Sequence, residues 1–92
     1  MNDLKMRQNK TMEKTIKIDL HGQTVYSAQR LLTQRLKSLA PDVREVCVIF
    51  GWHGGTALRD FVMSYKNRKI ERKILGLNPG SVILVIKQTE EK

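Results

Sequence analysis

The sequence has one cysteine, Cys47, so no disulfide can form within the chain and no multi-cysteine zinc site can be built. Two prolines confine the proline-marked breaks to Pro41 and Pro79. No apolar run approaches the ~20 residues of a membrane-spanning helix. The first residues lack the apolar centre of a secretory signal. The expected compartment is therefore reduced and intracellular, the cytoplasm, with no membrane partner. Carboxylates are scarce as well, 9 acidic side chains against 17 basic ones. A two-metal nuclease centre needs several clustered carboxylates. The chain offers Asp19 and, in a later helix, Asp60. His21 and His53 with Asp19 are the candidate ligands for one divalent metal, with no recognised ligand spacing behind them, and no cofactor is called for.

What the chain does have is positive charge, a formal net of +8 over 92 residues. Such an excess draws polyanions by field alone, which points to DNA or RNA as the partner. The alternative is a solvated surface that serves solubility. With 40% hydrophobic residues the chain can bury the modest core of one domain, and a monomer is the favoured state. Residues 1–14 are polar and charged without period and are expected to be a flexible basic tail, 15–88 the domain, and 89–92 a frayed end.

The domain begins with Ile16, Ile18 and Leu20 alternating with Lys17, Asp19 and His21. A period of two is a strand with an apolar face and a polar face. It predicts that Asp19 and His21 project together near the strand's end. Gly22 gives the freedom in φ needed to leave the strand, and Thr24 suits a helix N-cap. From Val25 to Leu39, Val25, Ala28, Leu32, Leu36 and Leu39 recur at steps of three and four, with Leu31 widening the stripe. Ala40-Pro41-Asp42 ends this helix. Glu45 to Phe50 is a nearly continuous apolar run, as in an interior strand, and Cys47 within it is expected to be a small buried hydrophobe, with a catalytic thiol as the alternative.

A glycine-rich loop follows, Gly51-Trp52-His53-Gly54-Gly55, with Thr56 as the natural N-cap of a second helix over Ala57 to Tyr65. Leu58, Phe61, Val62 and Tyr65 share one of its faces. Residues Lys66 to Lys73 hold five basic side chains and one acidic one, and a third strand begins within them. Asn78-Pro79-Gly80 is a turn, and Ser81 to Lys87 a last strand antiparallel to the third. The order β-α-β-α-β-β predicts an α/β fold, a two-layer sandwich of a mixed four-stranded sheet with both helices on one face.

In such a sheet, ligands bind outside the carboxyl ends of parallel strands, where helix N-termini present free N–H groups suited to phosphate. Two strand ends meet that description, Leu20-His21-Gly22 and Phe50-Gly51-Trp52. His21 is a candidate general acid and base, having an ordinary pKa of about 6.5. Asp19 is a candidate partner that orients it or itself acts on a proton. The alternative is that His21 caps a turn and Asp19 ties down the loop backbone. Gly22, Gly51, Gly54 and Gly55 are candidates to let phosphate approach the backbone. His53 is a candidate phosphate contact. Trp52 either stacks on an exposed base or covers the edge of the core.

The ordered elements Ile18-Asp19-Leu20-His21-Gly22, Thr24-Val25, Val48-Ile49-Phe50-Gly51 and Leu58-Arg59 resemble the Smr (small MutS-related) domain, over about Thr15 to Lys87. The resemblance implies a fold similar to the C-terminal domain of translation initiation factor three. It also implies nucleic-acid binding and, as in several members, endonuclease activity that nicks DNA or cuts RNA. On that basis Asp19 and His21 would be the chemical centre. Gly51, Gly54 and Gly55 would hold phosphate, and Arg59, Lys66, Arg68, Lys69, Arg72 and Lys73 would track the backbone. The family's second motif usually reads His or Thr, Gly, any residue, Gly. Here Phe50 takes the first place, Gly51 matches, and His53 takes the second glycine's place unless one extra loop residue brings Gly54 there. Two rival readings are a non-catalytic nucleic-acid or ribosome-binding module and a protein-interaction domain.

Overall fold

The computed structural model describes residues 14–51, 56–76 and 79–88. Its elements are β1 (Lys14–Asp19), α1 (Val25–Lys37), β2 (Val43–Ile49), α2 (Ala57–Ser64), β3 (Ile70–Leu75) and β4 (Ser81–Ile86). They form one sheet in the order β1-β2-β4-β3. β1 runs parallel to β2, and β4 lies antiparallel to both β2 and β3. The expected mixed sheet of four strands with two helices is therefore the observed one.

The register explains the two-layer build. Ile16 and Ile18 pair with Val46 and Val48, which pair with Leu84 and Val82. All of these point to one face, and there they meet Ala28, Leu32 and Leu36 of α1 and Val62 of α2 in a single core. The steps of four from Ala28 to Leu36 keep these side chains on one side of α1. Val25, which extends that stripe in the sequence, is 40% exposed, because it lies in the first turn, beyond the sheet it would have to cover. The helix stops at Lys37, before Leu39, which packs only partly on the core.

Among the described residues, the opposite face of the sheet carries no helix. The row Lys17, Cys47, Ile83 and Ile74 crosses it. Cys47 is accordingly half-buried on that face, where the sequence predicts a small buried hydrophobe. Glu45, Cys47 and Ile49 of β2 alternate away from the core, while Val46 and Val48 point into it.

The helix starts differ in chemistry. Thr24 accepts a hydrogen bond from the Ser27 N–H at 3.0 Å, while Ser27 Oγ accepts from the Thr24 N–H at 3.1 Å, a reciprocal capping box. Thr56 occupies the cap position of α2 but makes no cap bond, and its hydroxyl donates instead to the Asp60 carboxylate at 3.2 Å. Lys14, placed by sequence in the tail, is the first residue of β1, and its ammonium pairs with Asp42 at 3.4 Å. The remainder of the expected tail, 1–13, and the expected frayed end, 89–92, lie outside the described residues, as does Asn78 of the predicted turn.

Candidate nucleic-acid interface

The parallel β1–β2 pair ends in two tight departures of the chain. The Leu20 N–H donates to the Ile49 carbonyl at 2.7 Å, carrying the ladder one residue beyond β1. The Gln23 N–H then returns to the Leu20 carbonyl at 2.9 Å and closes a turn with His21 and Gly22 at its centre. Gly22 has φ +82°, the value a type II turn requires at its third position. Asp19 Oδ1 accepts from the backbone N–H of His21 at 2.9 Å. The carboxylate thus fixes the backbone that carries the imidazole, two residues on, by an Asx turn. Because β1 ends at Asp19, His21 belongs to this turn and not to the strand's polar face.

At the end of β2 the Gly80 carbonyl accepts from both Phe50 N–H, at 2.8 Å, and Gly51 N–H, at 3.1 Å. Gly51 has φ +80°, and a Cβ there would stand 3.3 Å from Cδ2 of His21. A Cβ on Gly80 would lie 3.1 Å from Gly51 Cα. His21, Gly51 and Gly80 are therefore layered against one another, with the exposed imidazole over the Gly51 backbone. The two motif stretches singled out in the sequence meet here. Gly80 completes the layer and was legible only as a turn residue, since its contact is made across 29 residues of chain. Trp52, His53, Gly54 and Gly55 lie outside the described residues. Arg59 is exposed in the first turn of α2.

The basic stretch lies elsewhere. The Lys87 N–H donates to the Lys69 carbonyl at 2.8 Å, and Ile70 pairs with Ile86, so Lys66, Arg68 and Lys69 stand at the far end of β4 from Gly80. At ~3.4 Å per residue along β4, roughly 20 Å separates the two ends. Arg72 and Lys73 lie between them on the edge strand β3.

The ammonium groups of this stretch divide into two kinds. Lys69 Nζ donates to the Leu36 carbonyl in the last turn of α1, at 2.7 Å. Lys73 Nζ donates to the Met63 and Tyr65 carbonyls at the end of α2, at 2.8 and 2.6 Å. These two lysines close helix C-termini, whose last carbonyls have no partner within the helix. Burial, and behind it the neighbouring Lys66 ammonium, hold Lys73 below the ordinary lysine value. Lys66, Arg68 and Arg72 are exposed, and among the described residues Arg72 pairs only with Glu71, at 3.9 Å. The sequence showed five equivalent charges. The capping role of two of them depends on where the two helices end in space.

Among the described residues no group of three or more His, Cys, Asp or Glu side chains is gathered to hold a metal. No helix among them is long and apolar enough to cross a membrane. Compared with known proteins, the chain matches no family model, no curated protein and no solved structure.

Proposed function

We propose that this chain is an Smr-like nucleic-acid-binding domain that cleaves phosphodiester bonds at the His21–Gly51 edge. The observation that carries the reading is the exposed imidazole of His21 over the Gly51 backbone, on a turn held by Asp19. Cleavage needs a proton taken from the attacking hydroxyl or water and charge stabilised on the phosphate. His21 supplies the first. Arg59, in the turn that opens α2, supplies the second, assisted by the net charge of +8.

One observation favours the non-catalytic alternative. The Asp19 carboxylate bonds the backbone of His21, which is what a purely structural turn requires. Incubation of the pure protein with supercoiled plasmid and with structured RNA, with and without magnesium, separates the two readings. A positioned acid–base contributes about 10² to 10⁴ in rate. His21→Ala is expected to lower cleavage by that order while affinity changes less than about twofold, since one imidazole adds little to the field. Binding with a cleavage signal that His21→Ala leaves unaltered would assign the chain to binding alone.

A further inference from the structure

A second concave surface lies between the end of α2 and the edge strand β3, away from the His21 turn. It encloses about 310 Å³ and is lined by Tyr65, Lys66, Asn67, Ile70 and the Glu71–Lys73 stretch of β3. That volume is at the lower end of the ~300–1,000 Å³ of small-molecule sites. One wall is fixed. The Tyr65 hydroxyl is 2.7 Å from Thr33 Oγ1, its ring meets Phe61 edge-on at 5.4 Å, and Asn67 Oδ1 accepts from the Lys69 N–H at 2.9 Å. The other wall is cationic. Among the described residues Lys66 forms no hydrogen bond or ion pair, and Arg72 pairs only with Glu71. Lys73 holds two carbonyls and keeps a third N–H, which has no partner among the described residues.

We propose that this pocket binds the phosphate monoester of a nucleotide, with the phosphate between Lys66 and Lys73 and the nucleoside against Tyr65. Two ammonium groups at one concavity, Lys66 without a partner among the described residues and Lys73 with one N–H to spare, give a dianionic phosphate charge-assisted bonds. The Glu71 carboxylate at the rim is the one opposing charge, and it leans toward Arg72. Burial first, and then repulsion from Lys66, depress the proton affinity of Lys73, and an anion seated between the two ammonium groups offsets the repulsion. The same chemistry is offered by a free nucleotide and by the 5′-phosphate of a strand. The site stands independently of cleavage at His21.

The test is an amide-resolved NMR titration of the whole chain with AMP, inorganic phosphate and adenosine. AMP and phosphate are expected to shift the amides of residues 65–73, and adenosine is not. Lys66→Ala should weaken AMP roughly tenfold, as expected for one lost bond to a charged group. Lys66 is exposed and unbonded, so its variant keeps the fold even if a Lys73 variant does not. A pair of short RNAs, with 5′-phosphate and with 5′-hydroxyl, identifies the source. A gain for the phosphorylated strand at the same amides assigns the site to strand ends, and AMP binding without that gain assigns it to free nucleotide. The proposal falls if adenosine shifts the pocket as strongly as AMP, if Lys66→Ala leaves AMP affinity unchanged, or if the shifts centre on His21 and Gly51.

Discussion

At the scale of single residues, position in the backbone decides what each charged or small side chain can do. Gly51 combines φ +80° with a neighbour that leaves little room, the His21 ring 3.3 Å from where a Cβ would sit. Gly51→Ala is therefore expected to lose about 1–2 kcal/mol, the cost of a left-handed conformation for an L residue. It should also displace the imidazole by a few tenths of an ångström. Urea unfolding reads the first effect and the His21 ring proton shifts read the second. Lys73 gives a pH prediction. Its folded proton affinity lies below the ordinary value of 10.5, so across the interval between the two the unfolded chain holds the proton more often. Stability contributed by this group therefore rises with pH through that window. Urea midpoints taken over the alkaline range should climb more steeply in the native chain than in Lys73→Met. Equal slopes would mean that the ammonium is freely hydrated.

At the scale of elements, the helices are held by the face they bury more than by their ends. Leu32 is fully buried at the middle of α1. Leu32→Ala should cost about 2–5 kcal/mol, a lost transfer energy plus an unfilled cavity, measurable by thermal or urea unfolding. This is also where the sequence was most informative. The spacing Ala28, Leu32, Leu36 and the alternation Ile16, Ile18, Leu20 are local patterns, and the burial they predict is the burial observed. The Thr24 cap was legible for the same reason. Patterns that depend on distant partners were not. Cys47 and Val48 are both apolar in one run, and only the strand's pairing sends the first away from the helices and the second into the core. Lys69 and Lys73 resemble their basic neighbours in sequence, yet they terminate α1 and α2 because those helix ends arrive beside β3. At the candidate site, the sequence identified His21 and Gly51, while the contribution of Gly80 waited on the β2–β4 pairing.

At the scale of the whole molecule, the exposed Lys66 and Arg68 stand at one end of the sheet and the His21 turn at the other. A nucleic acid that engages both must span the roughly 20 Å between them, about six phosphate steps along one strand of a duplex. Log affinity should then fall linearly with log salt, with a slope of about −0.7 to −0.9 per phosphate neutralised. Replacing Lys66, Arg68 and Arg72 together by alanine should flatten that slope and leave the fold intact, because none of the three closes a helix. Anisotropy titrations over a salt series measure it, and an unchanged slope would place the phosphate contacts elsewhere. The strand order has a further consequence, for the path by which the chain reaches this structure. β2 lies inside the sheet, yet its partner on one side, β4, is synthesised last, and the pair there that closes the shortest stretch of chain joins Ile49 to Ser81. Until that long loop closes, the β1–α1–β2 half has an interior strand paired on one side only, and the entropy of closure must be met before its core is sealed. The Gly80 carbonyl, which gathers two N–H groups from the end of β2, sits at the near end of that pairing, so the turn beneath His21 also ties shut the stretch of chain that joins β2 to β4.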